Sequence, residues 1–230
     1  MTRITPMRRE DCKEFETVFG ITEVVMGFVP NSMLIMARDP DLLRAFSELS
    51  VVIMVRPGRL DSGLKALIMY AVSRSAGCQY CVAHSANLAG SHAIPVRKVE
   101  NLWRYDESLE FTDAERAALR FAQAAGQVPN GVSDADFAEL RRHFNEDQII
   151  EIVAVVGFLG FLSRWNDTLA TPLESIPKRF AQEHLSAGGW TLGKHDGARA
   201  GDPSTRRTET LGARVFLWLL RRFGSRILRK

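Results

Sequence analysis

The sequence predicts an all-α protein. Apolar residues recur at three- and four-residue spacing from Asp11 to about Glu174, and the alternation typical of strands is almost absent. Hydrophobic residues make up 46% and charged residues 25% of the 230 positions, which is an ordinary globular composition. That balance excludes a wholly disordered, collagen-like or disulfide-scaffold protein, so we expect a helical body with its own core.

Capping and stop residues divide the first part of this body. The predicted helices are Asp11–Met26, then a short one from Asn31 to about Arg38, then one from Asp39-Pro40 to Pro57-Gly58. Proline in the first turn of the third helix is favourable because its missing N–H has no intrahelical partner there. The side chains of the third helix that we expect to face the core are Leu42, Leu43, Phe46, Leu49, Val52 and Ile53.

The same signals predict six further helices. They begin at Asp61, at about Gln79, at Ile94-Pro95, at Thr112-Asp113, at Ser133 and at Asn145. Gly77 is expected to end the first of these, so that the next begins almost at once. The short interval between those two helices becomes the important junction below.

Charge divides the chain into a body and a tail. From Ala187 to Lys230 there are ten Lys or Arg and three Asp or Glu, so this part carries +7 while residues 1–186 carry −4. We predict one helical domain over 1–186, a flexible, Gly-rich polar linker over 187–210, and a basic amphipathic tail helix over 211–230. A uniformly basic nucleic-acid binder would not divide in this way, so no nucleic-acid partner is expected.

The tail helix has two competing interpretations besides disorder. Basic amphipathic segments bind anionic membrane surfaces, but the apolar side could equally dock on the body or on another subunit. No spanning helix is predicted, because the longest apolar run, Ile149 to Leu162, is interrupted by Glu151. No secretory h-region is present near the N-terminus, so we expect a cytoplasmic protein that could lie peripherally at the inner face of the membrane.

The residues that could carry chemistry follow Gly77. Cys78 and Cys81 form a CxxC pair in which Cys78 lies in the helix junction and Cys81 in the first turn, where the positive helix end favours a thiolate at Cys81. His84 lies one turn further on the same side and could exchange a proton with Cys81. Zinc binding by the C-x2-C-x2-H ligands, and simple burial of inert cysteines, remain alternatives to thiol redox chemistry.

The stretch LDSGLKALIMYAVSRSAGCQYCVAHSANL at Leu60 to Leu88 resembles the core motif of the alkylhydroperoxidase D (AhpD-like) family, within the carboxymuconolactone decarboxylase superfamily. The resemblance extends to GFVPNSMLIMARDPDLLRAFSEL upstream and to GFLGFLSRWNDTLATPLE at Gly157 to Glu174. It implies an AhpD-like multi-helix bundle, a homo-oligomer of trimer or hexamer type, and an antioxidant peroxidase activity. The lactone decarboxylases of the superfamily lack the CxxC pair, so its presence favours the thiol branch.

Transferred by position, the resemblance makes Cys81 the peroxidatic thiol and Cys78 the resolving thiol. The relay glutamate of the founding peroxidases corresponds to Ala66, and their relay histidine corresponds to Ser85, with His84 one place earlier. A further histidine between their cysteines is Tyr80 here. We therefore expect Cys81, Cys78 and His84 to be catalytic and Tyr80 and Ser85 to support them, as in a peroxidase-related subgroup of the superfamily.

These residues predict a thiol-dependent peroxidase that reduces hydroperoxides. No metal or organic cofactor is expected, and a thiol, lipoyl-bearing or thioredoxin-like donor must reopen the disulfide. The alternatives are a non-catalytic metal or structural Cys/His site, or a decarboxylase-like enzyme acting on a small organic acid or lactone. Weaker candidates are Glu151 as a displaced acid and a polar set that we interpret as packing and interface residues or as site-lining residues, Arg164, Trp165, Asn166 and Asp167. Cys12 is interpreted as structural or as a bystander, and no partner can be identified for His195.

Overall fold

The computed structural model describes residues 2–197. Within that range the chain is helical and contains no strand, which confirms the all-α prediction. The described residues divide into two compact units, 4–57 and 58–197, with Thr2 and Arg3 belonging to the second. The predicted tail helix over 211–230 and the later part of the predicted linker lie outside the described residues.

The unit 4–57 contains α1 (Glu16–Met26), α2 (Asn31–Met36) and α3 (Pro40–Ser50), and a π-helical turn, Val51–Val55, follows α3. Short 3-10 turns precede α1, which therefore begins later than Asp11. All six residues of α2 are buried.

The start of α3 forms as its sequence predicts, but its predicted core face is only partly buried. Asp39 accepts a hydrogen bond from the Leu42 amide at 3.1 Å and so caps the helix. Leu43 is fully buried, whereas Leu49 and Val52 are 50% and 51% exposed. The prediction that Leu49 and Val52 face a core is therefore wrong. The π-helical turn that begins at Val51 changes the residue spacing on which the prediction for Val52 depends, but it does not reach Leu49.

The unit 58–197 contains seven helices within the part of the chain that the structure describes. They are α4 (Ser62–Ser75), α5 (Gln79–Ser91), α6 (Val96–Glu100), α7 (Asp113–Ala125), α8 (Asp134–His143), α9 (Glu146–Leu169) and α10 (Ser175–His184). Capping boxes begin α7, α8 and α9, in which Thr112, Ser133 and Asn145 each pair reciprocally with the residue three positions later. These predicted starts are confirmed.

Helix α4 forms the centre of this unit. Its residues from Lys65 to Ser73 are all buried, and it packs against α5, α7 and α9. A helix buried on every side needs partners all around it, which is why α4 shows little amphipathic character. The largest fully buried side chains of the unit are Leu67, Ile68, Tyr70, Leu102, Leu119, Leu140, Ile152, Leu159 and His195.

By length and composition, α9 could cross a membrane. The sequence analysis had predicted no spanning helix, because Glu151 interrupts the apolar run from Ile149 to Leu162. In the structure it packs against α4, α5 and α7. Its one charged residue in the apolar stretch, Glu151, forms an ion pair with the buried Lys65. These contacts are those of a core helix, although Ile150, Val153 and Phe161 leave an exposed apolar strip on it.

The segment after α9 is more ordered than the sequence predicts. Helix α10 was not predicted, yet Pro177 lies in its first turn, where proline is tolerated. Residues 187–197, the predicted beginning of the linker, contain a buried Trp190 whose Nε1 donates to the Gln79 carbonyl at 3.0 Å. The predicted linker therefore does not begin at Ala187, because this part of it packs on the start of α5.

Candidate redox site

The two cysteines lie at the junction between α4 and α5. Gly77 adopts a left-handed conformation with φ of +75°, which turns the chain out of α4 as predicted. Cys78 is the N-terminal cap of α5, and its Sγ accepts a hydrogen bond from the Cys81 amide at 3.4 Å. Both cysteines are buried and unbridged. The junction therefore holds a reduced dithiol at the positive end of a helix.

The electrostatics of this pair reverse one prediction. A hydrogen bond from the Cys81 thiol lowers the pKa of Cys78, and the Cys81 amide adds to that effect against the opposing cost of burial. Burial and the neighbouring Cys78 raise the pKa of Cys81 well above its ordinary value, which the Asn166 amide offsets only in part. The expectation that the helix end favours a thiolate at Cys81 is not met, because burial of Cys81 outweighs the helix end. The Cys81 amide hydrogen points at the Cys78 sulfur instead.

Helix α5 also positions a histidine–carboxylate pair. His84 Nε2 lies 2.6 Å from Glu174 Oε2, and the Tyr80 hydroxyl donates to Glu174 Oε1 at 2.8 Å. The rings of Tyr80 and His84 stack with centroids 4.3 Å apart, as expected for residues one turn apart. Glu174 is only 6% exposed and lies at the residue before α10, where its side chain points to Tyr80 and His84 rather than capping the helix. A buried carboxylate thus orients the predicted acid–base residue.

The other predicted residues have different positions. Ser85 is buried with its Oγ 3.4 Å from Ser73 Oγ, so it joins α5 to α4. Asn166 lines the site, since its Nδ2 lies 3.6 Å from Cys81 Sγ. Glu151 accepts from the Arg59 amide at 2.7 Å and pairs with Lys65, which commits it to a structural role.

Cys12 lies outside this arrangement. It is buried in the unit 4–57, and burial raises its pKa.

A second histidine, His195, to which sequence analysis gave no role, lies beside the dithiol. His195 is 2% exposed, and a reactive atom of each of Cys78, Asp167 and His195 lies within 4.8 Å of the others. This cluster, rather than the predicted Cys78, Cys81 and His84 set, is the one among the described residues whose atoms could close around a metal ion. No sequence signal predicts it, because His195 belongs to a Gly-rich stretch far along the chain.

The fold and the site define a class of protein, an all-helical one with a buried CxxC dithiol between two core helices and a histidine–carboxylate pair one turn away. Residues 40–124 match the Carboxymuconolactone decarboxylase family. The chain belongs to this family and has its AhpD-like helical form.

Three known proteins are similar to this chain. The debrominase Bmp8, crystallised as a cysteine-to-alanine variant in complex with 2,3,4-tribromopyrrole, is 34% identical, with a TM-score of 0.75 over 80% of this chain and 97% of its own. A peroxidase-related protein from Silicibacter sp. TM1040 is 25% identical, with a TM-score of 0.66 over 74% and 90%. The Escherichia coli K12 protein YnjA is 26% identical over 117 residues, 51% of this chain, and the match covers 64% of YnjA.

Proposed function

We propose that this protein is a dithiol oxidoreductase that reduces hydroperoxides through Cys78 and Cys81. The observation that carries the proposal is the reduced pair at the start of α5, where one thiol is hydrogen-bonded by the amide and thiol of the other. In the cycle, a thiolate attacks the peroxide O–O bond to give a sulfenic acid, and an alcohol leaves after protonation. The second thiol then displaces water and forms the disulfide.

The structure favours Cys78 as the attacking thiolate, whereas the family resemblance implies Cys81. A nucleophilic thiol must ionise first, and the hydrogen bonds in this dithiol favour the anion at Cys78. Single-cysteine variants distinguish the two orders. After one peroxide addition, a sulfenic acid trapped by dimedone in Cys81→Ser but not in Cys78→Ser supports attack by Cys78, and the reverse pattern supports Cys81.

Glu174 supplies a carboxylate that the family position at Ala66 lacks. Through its contact with Nε2 it fixes the His84 ring, and through Tyr80 it fixes the first turn of α5. We assign to this pair the delivery of a proton to the leaving alkoxide. The assignment depends on the part-buried 2.6 Å contact, and Ala66 on α4 has no ionisable group to serve instead.

The test is peroxide consumption with a dithiol reductant. Cys78→Ser and Cys81→Ser are each expected to reduce turnover to the uncatalysed background, while Cys12→Ser is the matched control and retains it. Mass spectrometry after one equivalent of peroxide is expected to find a Cys78–Cys81 disulfide in the parent. Unchanged turnover in both serine variants would contradict the proposal.

Reductive dehalogenation is a second candidate, favoured by the 34% identity to a debrominase over nearly all of that chain. The dithiol would reduce an aryl bromide, giving the arene, a proton and bromide, and forming the same disulfide. Bromide release from 2,3,4-tribromopyrrole, measured beside peroxide consumption, distinguishes the two substrates. Release of bromide by the parent without peroxide turnover would replace the first candidate by this one.

The remaining expectations stay predictions. They are the thiol, lipoyl or thioredoxin-like donor, the trimeric or hexameric assembly, the cytoplasmic location, and membrane contact through 211–230. A decarboxylase-like activity on a small organic acid or lactone also stays untested. It can be assayed on the same preparations, since it should survive replacement of the cysteines.

A further inference from the structure

A thiol, a carboxylate and an imidazole meet beside the dithiol within the unit 58–197. One ligand atom from each of Cys78, Asp167 and His195 lies within 4.8 Å of the other two, and Asp167 Oδ1 is 3.9 Å from His195 Nε2. We propose that these three side chains bind a zinc ion, and that the bound ion keeps Cys78 from forming the disulfide. The effect on turnover rests on the proposed function, whereas the binding itself does not.

The imidazole has the arrangement of a metal ligand. His195 is 2% exposed, and its Nε2 is buried without a hydrogen-bond partner among residues 2–197. Its Nδ1 lies 2.8 Å from the Thr171 carbonyl oxygen, which can only accept a hydrogen bond, so Nδ1 carries the hydrogen and Nε2 bears the lone pair. Metal-binding histidines are usually held in this way, by a hydrogen bond from the other ring nitrogen. A bound ion supplies the partner that a buried polar atom needs.

The other two ligands are also held in place. The Cys81 amide donates to Cys78 Sγ at 3.4 Å, and a hydrogen bond of this kind stabilises a metal-bound thiolate. Asp167 Oδ2 accepts from Lys194 Nζ at 2.7 Å, which leaves Oδ1 for the ion. The Lys194 side chain is 43% exposed, so solvent and salt screen its repulsion of a cation.

The donor set and its spacing suit zinc. Thiolate and imidazole ligands favour zinc, whereas Mg²⁺ and Ca²⁺ are bound by oxygen. Bonds of about 2.0–2.3 Å to a tetrahedral zinc ion place its ligand atoms about 3.3–3.5 Å apart, so the 3.9 Å between Oδ1 and Nε2 has to shorten by only about half an ångström. Cys78 is fully buried, but the Asp167 side chain is 38% exposed and gives the ion a path from solvent.

Zinc binding and disulfide formation exclude each other, because both use the Cys78 sulfur. On oxidation by a hydroperoxide, the Cys78 thiolate and the Cys81 thiol become a disulfide and give two electrons to the peroxide. The O–O bond breaks, the Cys81 proton goes to the alkoxide, and the products are an alcohol, a hydroxide ion and free zinc. Zinc therefore slows oxidation, and oxidation expels zinc. The ion regulates the dithiol and is not a cofactor of its reaction.

The test loads the full-length reduced protein with Co²⁺, whose bond to a thiolate gives a near-ultraviolet absorption band, and then displaces it with Zn²⁺. The parent should bind one ion per chain, and Cys78→Ser should lose the band. His195→Gln and Asp167→Asn should each weaken binding at least about tenfold. The matched control is His84→Gln, which removes the histidine of the alternative C-x2-C-x2-H ligand set and should leave the affinity unchanged.

Two results would overturn the inference. One is normal binding in His195→Gln together with loss of binding in His84→Gln, because the C-x2-C-x2-H set would then hold the ion. The other is a reduced parent that gives no cobalt–thiolate band. Circular dichroism checks that each variant is folded, and Asp167→Asn, a change at a partly exposed side chain, covers the case in which His195→Gln does not fold.

A second measurement separates this inference from the proposed function. Diamide, which converts dithiols to disulfides without peroxide, should release one zinc ion per Cys78–Cys81 disulfide from the loaded protein, detected with a chromophoric chelator. Zinc should also lower the rate of peroxide consumption. Release by diamide in a protein that consumes no peroxide refutes the proposed function and leaves the zinc site in place. A disulfide that forms while zinc stays bound would contradict the site.

Discussion

The buried ion pair between Lys65 and Glu151 predicts a large loss of stability on removing one partner. The Lys65 side chain is 4% exposed and that of Glu151 is 14% exposed, and Glu151 also accepts from the Arg59 amide. Glu151→Gln removes the carboxylate that pairs with the buried ammonium of Lys65. Breaking a buried pair in this way costs about 3–5 kcal/mol. We expect about 3 kcal/mol, because the carboxylate is partly exposed.

Urea unfolding followed by circular dichroism measures this loss. The double variant Lys65→Met/Glu151→Leu should recover most of the stability, since well-packed apolar pairs replace buried ion pairs at little cost. Asp106→Asn is the matched control, because Arg120 and Asp106 are 49% and 52% exposed. That change should cost less than about 1 kcal/mol.

The difference in the free energy of unfolding between the parent and Glu151→Gln depends on pH because of the Glu151 carboxylate. Burial opposes ionisation of Glu151, but Lys65 and the Arg59 amide outweigh it and lower the pKa. A lowered pKa contributes stability that is present above the unfolded value and disappears as the pH falls through the folded value. The difference in the free energy of unfolding between the parent and Glu151→Gln should therefore become smaller at acidic pH. Equal stability of the parent and Glu151→Gln at neutral pH would refute the structural role. Loss of peroxide turnover in a fully stable Glu151→Gln would instead make Glu151 an acid of the reaction.

Three further changes probe other parts of the molecule. Glu174→Gln should lower peroxide turnover at least tenfold while a Cys78–Cys81 disulfide still forms slowly, measured by stopped-flow kinetics; full turnover would remove the acid–base assignment. Trp190→Phe should cost about 1–2 kcal/mol in urea unfolding, since the Gln79 carbonyl loses its donor, and an unchanged midpoint would show that this contact adds nothing. Thr112→Ala should cost about 1 kcal/mol by removing the α7 capping box, whereas Thr112→Ser, which keeps the hydroxyl, should not.

Helix starts could be predicted because their causes are local. The caps at Asp39, Asp61 and Thr112 act on amides two or three residues away, and the glycine at 77 turns the chain where a helix must end. The CxxC junction follows from the same local rules. Helix α10 was missed because Pro177 suggests a stop when its place in the first turn is not known.

The parts of the site that the sequence did not predict depend on contacts between residues far apart in the chain. Glu174 reaches His84 and His195 reaches Cys78 only through the packing of the segments after α9 on α5. The sequence also could not predict which cysteine has the lower pKa. The position of a helix end can be inferred from the sequence, but the burial of a single side chain cannot. Once Cys81 is buried, desolvation exceeds the helix effect.

The N-terminal cap of α5 is the Cys78 sulfur atom, so the stability of this helix end depends on whether the cysteines are reduced or oxidised. A thiolate is a strong acceptor for the Cys81 amide, whereas a disulfide sulfur is uncharged and a weak one. Oxidation should therefore fray the first turn, which carries both the Gln79 carbonyl that binds Trp190 and the Tyr80 hydroxyl that binds Glu174. Faster hydrogen exchange at the Cys81 amide after oxidation would then mark a conformational change where α5 packs against the segments that follow α9.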